Sequence, residues 1–387
     1  QRRIMKTIIN HGRMRSSNKR FILDYIRKNG PISRKEISDR LEMSFTAVTT
    51  FVSELLADHT IVVQGSAKSS GGRKSELFHP NPDAFYVFGA DIQVDRLVIL
   101  LQDFCGNLWE REEIPLTQSG EHYIASLLSD SIRQTYQKTG LSRDKLAGIG
   151  VSVPGIVNSV SGLVELAPNL HWRQVDLQQL LPDRLIIIAN EANAAAFGEL
   201  YYGFAQEAVS AIFLSVGHGI GSGLIFDHRL FTGGNFIAGE FGHMTLDPHG
   251  PVCRCGKRGC WESYASNEAA LRLYEHLAGR KPADFESIIE LYLQNDPIAQ
   301  RVIGETVYYL GVGISNLING LNPELIVIGG SLGSIGERIY PGLLDTVKAL
   351  SLAPSFHGVT IRFSKSGNDA AALGAASMAT DRHLNSI

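Results

Sequence analysis

The chain has 387 residues, 44% of them hydrophobic and 19% charged, the balance of a folded globular protein and too long for one compact unit, so two or three domains are expected. No apolar run approaches the length that crosses a bilayer, and the basic start, where Ile4–Ile9 is interrupted by Lys6, is followed by no plausible signal-peptide cleavage site; a cytoplasmic protein with no membrane partner is the expectation. The net charge of −3 hides an asymmetry: residues 1–79 hold 15 Lys+Arg against 7 Asp+Glu, while the remainder carries −11, which points to a nucleic-acid-binding head on an acidic body, with a solubilising basic tail as the alternative.

Residues 18–60 read as three short helices. The first, from about Asn18 to Lys28, has an apolar stripe of Phe21, Ile22, Tyr25 and Ile26 and is stopped by Gly30-Pro31. The second opens on Ser33-Arg-Lys-Glu36, a capping box in which each side chain satisfies an orphan backbone donor, with Ile32 and Ile37 placed as a hydrophobic staple. The third runs from near Ser44 to Asp58, its apolar set Val48, Val52, Leu55 and Leu56 at helical spacing. At its end stands His59-Thr60, where a glycine is more usual and a slightly different turn is expected. Two extended runs, Ile61–Gln64 and Leu77–His79, flank a basic loop, and Asn81-Pro82 reads as a linker.

This order is that of a winged helix-turn-helix over residues 1–80. Thr46, Thr49, Thr50 and Ser53 share the outer face of the third helix, with Ser44 and Phe45 at its start. Short hydroxyls there can bond base edges or phosphates, and the Phe can meet a thymine methyl. Lys68, Arg73 and Lys74 in the loop suit phosphate or minor-groove contacts. A protein-binding helical unit is the bland alternative; the capping box, basic balance and wing together favour operator DNA.

From Phe85 the pattern becomes strands alternating with helices. Strands are predicted at Tyr86–Ile92, Leu97–Phe104, Leu146–Val153, Leu185–Ala189, Ala211–Ser215, Gly223–Phe226, Leu325–Ile328 and Val359–Phe363, and helices at 122–138, 192–203, 262–278, 297–319 and 369–380. An α/β architecture follows, and two similar lobes would fit its length.

Of the four cysteines, Cys105 stands alone at a turn and reads as structural. The others fall in His243-(nine residues)-Cys253-Arg-Cys255-(four residues)-Cys260-Trp-Glu262. One imidazole and three thiolates make a closed tetrahedral set that suits structural Zn²⁺, and Gly250, Gly256 and Gly259 allow tight turns between ligands. A loose reduced cluster is the competing reading.

The arrangement from His243 through Glu262 resembles the zinc signature of the repressor, open-reading-frame and kinase (ROK) family. Val216-Gly-His-Gly-Ile-Gly-Ser-Gly223, Ala238-Gly-Glu-Phe-Gly-His243, Val153-Pro-Gly155, Ala167-Pro-Asn169 and Asn190-Glu-Ala-Asn193 fit it as well. With the winged head, the combination looks most like the xylose-repressor branch. The resemblance implies an actin-like (ribonuclease-H-like) two-lobed fold: lobe I over 85–190 with the C-terminal helix 369–387, and lobe II over 191–368 carrying the zinc loop. It implies a sugar in the interlobe cleft, xylose or a related monosaccharide, facing Asn190, Glu191, Glu240, His243 and Glu262, with Gly155 and Asn169 as weaker candidates. It further implies a homodimer or homotetramer on a two-fold operator.

Kinases of this family use an aspartate as general base where this chain has Glu191, one methylene longer. Their phosphate turn resembles Asp-x-Gly-Gly-Thr, whereas Asp91-Ile-Gln-Val-Asp95 stands here, with Gln93 and Val94 in place of glycines and Asp95 facing a polyanion. Phosphoryl transfer is mostly positioning. A non-catalytic sugar sensor is therefore expected over a DNA-binding sugar kinase.

Overall fold

The computed structural model describes residues 11–66, 75–181 and 186–385. The head comprises α1 (His11–Asn29), α2 (Arg34–Leu41), α3 (Phe45–Ala57), β1 (Ile61–Ser66) and β2 (Glu76–Pro80). The capping box forms as expected: Ser33 accepts from the Glu36 amide at 3.3 Å, and Glu36 accepts from the Ser33 amide at 2.9 Å. Both staple residues, Ile32 and Ile37, are buried. His59 takes the left-handed conformation, φ 54°. The amides of His59 and Thr60 bond back to Leu56 and Leu55, so the turn that a glycine usually makes is kept by a histidine.

Lobe I follows, with β3 (Tyr86–Ile92), β4 (Arg96–Asp103), β5 (Leu108–Pro115), α4 (Glu121–Thr139), β6 (Leu146–Val153), β7 (Ile156–Asn158), β8 (Leu163–Ala167), β9 (Trp172–Asp176), α5 (Leu177–Leu180) and β10 (Ile186–Asn190). Its main sheet runs β10-β6-β3-β4-β5, antiparallel through β3, β4 and β5 and parallel through β3, β6 and β10, while β7, β8 and β9 form a small separate sheet. Every residue of β3 is buried, as a central strand covered on both faces requires.

Next come α6 (Glu191–Tyr202), then β11 (Ser210–Val216), β12 (Ile220–Phe226), β13 (Arg229–Phe231), α7 (Glu262–Ala265), α8 (Asn267–Ala278), α9 (Phe285–Leu293), α10 (Pro297–Leu321), β14 (Leu325–Gly330), α11 (Gly336–Leu350), α12 (Ala353–His357), β15 (Thr360–Phe363) and α13 (Ala370–Leu384). The second sheet, β13-β12-β11-β14-β15, repeats the first: an antiparallel trio continued by two parallel strands. The expected single helix 262–278 is instead two, because Ser266 is extended and its hydroxyl caps the amide of Ala269.

Helices α6 and α13 cross between the lobes at almost backbone contact. A Cβ on Gly374 would lie 1.7 Å from the Ala194 carbonyl oxygen, and one on Gly150 of β6 would lie 1.9 Å from that of Ala375. Only glycine permits either approach. The head has no separate core. Ile22, Ile26, Val52, Leu55 and Phe78 pack in one cluster with Phe85 and Phe104 of lobe I and Ala376, Ala379 and Leu384 of α13.

Candidate functional site

The turn Phe241–His243 leads into a loop folded over itself by two isolated bridges, Thr245 with Cys260 and Val252 with Arg258. The folding is tight at Gly259, φ 67°, where a Cβ would meet the Asp247 carbonyl oxygen at 1.6 Å. It gathers one nitrogen of His243 and the sulfurs of Cys253, Cys255 and Cys260 within 4.8 Å of one another. Cys255 Sγ is 3.6 Å from Cys260 Sγ, and Cys253 Sγ is 3.7 Å from His243 Nδ1. A tetrahedron with metal–sulfur arms of about 2.3 Å has edges of about 3.8 Å, close to those two separations, so the donor set could hold a metal ion. The Cys255 amide donates to Cys253 Sγ at 3.4 Å. One feature was not legible beforehand: Trp261, fully buried, donates from Nε1 to the Tyr309 carbonyl at 2.8 Å and fastens the loop to α10.

Glu262 opens α7 directly behind the last cysteine. Its Oε1 lies 3.5 Å from His243 Nδ1, while Glu240 Oε2 lies 3.9 Å from Nε2 on the opposite edge of the ring. Glu191 begins α6, and Asn190 caps that helix, accepting from the amides of Ala192 and Asn193 at 2.9 and 3.1 Å and donating to the Gly155 carbonyl at 2.9 Å. Both ends of the Asn190 amide thus already have protein partners, and Gly155 contributes its carbonyl to Asn190. Asn169 is half-buried in the turn Pro168–Leu170. The glycine-rich segment runs beside the carboxylates: a Cβ at Gly219 would stand 2.6 Å from Glu262 Oε2, and one at Gly221 3.6 Å from Glu191 Oε1. These glycines leave room for the acids.

Burial, with Asp91 and then Glu240 close enough to repel a second negative charge, pushes the Glu191 carboxyl up to about 8. Burial likewise raises Glu240, with His243 pulling the other way. At neutral pH Glu191 is therefore a hydrogen-bond donor beside acceptors, the mixture that recognises vicinal hydroxyls. Folding binds a proton at Glu191 between the ordinary glutamate range and about 8, so its contribution to stability falls as pH rises through that window. Glu191→Gln should flatten the melting curve's pH dependence there, leaving the variant the more stable of the two by a few degrees near pH 8.5. Parallel slopes for both proteins between pH 5.5 and 8.5 would remove this assignment.

Asp91 is not free to face a phosphate. The register of β3 on β6 sets it beside Ser152, whose hydroxyl donates at 2.6 Å, and Gln93 Nε2 donates at 2.7 Å. Arg96 Nε in turn donates to Gln93 Oε1 at 2.8 Å. Side chains thus fill the β3–β4 turn and are pinned to one another.

On the head, the Ser44 hydroxyl accepts from the Ala47 amide at 3.2 Å, so it caps α3. Phe45, Thr46, Thr50 and Ser53 are exposed and Thr49 half-buried on one face. The hydroxyls of Thr49, Thr50 and Ser53 donate to carbonyls of their own helix at 2.8, 3.1 and 2.8 Å, which modifies the expectation that they reach outward. Lys68, Arg73 and Lys74 lie outside the described residues.

Helix α1 is bound to both interlobe helices. Arg27, its side chain 6% exposed, lies 3.7 Å over the Tyr201 ring and donates to the Tyr201 carbonyl at 3.2 Å. Arg20 reaches Asp381 of α13 at 2.7 Å. Helix α6 therefore has the Glu191 cleft at one end and the head at the other.

Residues 87–382 match the ROK family, and residues 15–62 match a winged helix-turn-helix DNA-binding domain. The sequence is 33% identical over 386 residues to the xylose repressor of Caldicellulosiruptor bescii, covering 95% of this chain and 96% of that protein. Among solved structures, a ROK family transcriptional regulator, a homologue of the E. coli MLC protein, superposes with a TM-score of 0.81 at 26% identity, covering 96% and 98% of the two chains. A ROK family glucokinase from Streptomyces griseus, in complex with glucose and AMPPNP, gives a TM-score of 0.69 at 25% identity, covering 76% of this chain and 98% of that one.

Proposed function

The chain belongs to the ROK family, with a winged helix-turn-helix ahead of the family domain, and from that premise we propose a sugar-responsive transcriptional repressor whose interlobe cleft takes xylose or a related monosaccharide. The observation that carries this reading is α6, whose first residue is Glu191 of the cleft and whose last turn, at Tyr201, is gripped by Arg27 of the DNA-reading head. A sugar that favours one lobe arrangement shifts the head through that helix and weakens its match to a two-fold operator. The working form is a cytoplasmic homodimer or homotetramer; among the described residues no helix is long and apolar enough to cross a membrane.

Zinc suits the imidazole-and-thiolate set of His243, Cys253, Cys255 and Cys260 best. When bound, the ion supplies a fixed positive centre for those four ligands. His243 turns Nδ1 toward Cys253 and leaves Nε2 toward Glu240, where it can donate to a sugar hydroxyl. Glu191, Glu240 and Glu262 supply the remaining donors and acceptors, with Asn190, Gly155 and Asn169 lining or bracing them. Lys68, Arg73 and Lys74 are proposed to hold DNA phosphates.

The test is a melting and operator-binding panel over pentoses and hexoses. One sugar is expected to raise Tm by linkage and to weaken operator binding; operator affinity unchanged across the whole panel counts against the reading. A second reading, a sugar kinase with a DNA-binding head, draws on the likeness to the glucokinase. The filled β3–β4 turn disfavours it. Phosphorylated sugar formed from ATP and Mg²⁺, and lost in Glu191→Ala, would establish it instead.

A further inference from the structure

Side chains read base edges in the major groove by a short chemical vocabulary. Arg or Lys pairs with guanine, Asn or Gln with adenine, Asp or Glu accepts from cytosine, and apolar groups meet the thymine C5-methyl. Helix α3, Phe45-Thr-Ala-Val-Thr-Thr-Phe-Val-Ser-Glu-Leu-Leu-Ala57, contains no Arg, Lys, Asn or Gln, and its single acid, Glu54, is half-buried. Three of the four hydroxyls on the outer face, those of Thr49, Thr50 and Ser53, donate to carbonyls one turn back. With its hydroxyl drawn into the helix, a threonine presents its methyl outward. At the leading end Phe45 is 56% exposed, although Phe51 and Val52 on the inner face are buried. Phe45 thus offers an exposed phenyl ring at the end of the helix that enters the groove.

We propose that α3 reads thymine C5-methyl groups, through the ring of Phe45 and the methyl of Thr50, so that operator half-sites carry thymines where this helix enters the groove. The inference rests on the operator-binding reading given above and adds what kind of sequence is read. Guanine contacts, if the operator has them, are made elsewhere on the head.

The test uses the full-length protein. Duplexes are first selected from a random library, and each thymine of the selected half-site is then replaced singly by deoxyuridine, which removes the C5-methyl and nothing else. Binding is expected to weaken about fourfold for each methyl that packs against α3, the equivalent of one buried methylene. Thr50→Ser keeps the hydroxyl and deletes the methyl from the protein's side. It should bind the thymine and deoxyuridine duplexes equally at the position Thr50 faces, because the two deletions remove the same contact. Deoxyuridine binding as tightly as thymine at every selected position overturns the proposal while leaving operator binding intact. So does a half-site in which guanines are the positions protected by α3. A library from which no duplex is selected overturns the operator reading, and this inference with it.

Discussion

Cys260→Ala is expected to abolish metal retention and the response to sugar together, and to lower stability by about 4 kcal/mol, roughly 5 °C in Tm. Cys260 is completely buried, and its neighbour Trp261 is the bolt that joins the loop to α10. Without the fourth ligand the loop loses its closed set, and with it the ring orientation of His243 and the placement of Glu262, whose Oε1 stands 3.0 Å from Cys253 Sγ. The damage is therefore expected to spread from the proposed metal ligands to the proposed sugar-facing groups. Metal content per chain, melting temperature and sugar-induced melting shift check it in one preparation. Chelation of the wild-type protein should reproduce all three, whereas Cys105→Ala, whose thiol donates to the Pro80 carbonyl, should leave metal content alone. A Cys260→Ala protein that loses its metal yet still melts and responds like wild type would falsify the link between knot and cleft.

Arg27→Ala should separate two properties that the wild-type protein joins: operator binding persists, but sugar no longer changes it. The guanidinium stacks on Tyr201 and bonds to its carbonyl, so its removal frees the far end of α6 from the head. Allosteric couplings are typically about 1–3 kcal/mol, a change of roughly 5- to 150-fold in affinity, and the ratio of operator affinities with and without sugar should fall toward one. Fluorescence anisotropy with labelled operator reads that ratio directly. Arg27→Lys keeps the charge but not the planar stack and should also impair coupling. A sugar response of full size in Arg27→Ala means that the signal travels by another route.

Much of this architecture was legible in the residues. The boundaries of β3 and β6 coincide with their apolar runs, because strands buried on both faces are continuous hydrophobic segments. The capping box of α2 and the His-Cys spacing of the loop were legible for a similar reason: each is a local pattern whose chemistry is complete within a few residues. What escaped notice were elements whose stability comes from elsewhere. Leu108–Pro115, with the charged core Trp-Glu-Arg-Glu-Glu, is an edge strand with no fully buried residue, so the apolar signal is absent. Helix α11 carries Pro341 in its interior and reads locally as a break. The clamp of α1 on Tyr201 and Asp381 joins residues more than 170 positions apart, and nothing in the pattern of either segment announces the other. The carboxylates of the cleft came from family likeness, while the burial that chiefly raises Glu191, with Asp91 adding to it, is a property of the folded chain alone.

The seating of α13 has a consequence for how the protein is made. This helix, residues 370–384, covers the first sheet and completes the cluster in which the head is anchored, yet a ribosome delivers it after the head and both sheets. The DNA-reading unit, synthesised before either sheet, has only the lobe I and α6 part of its seat, Phe85, Phe104 and Tyr201, until α13 emerges. Premature termination between the second sheet and Ala370 thus yields a nascent chain whose reading helix lacks the part of its seat that α13 supplies, and such a chain is expected to be open to proteolysis.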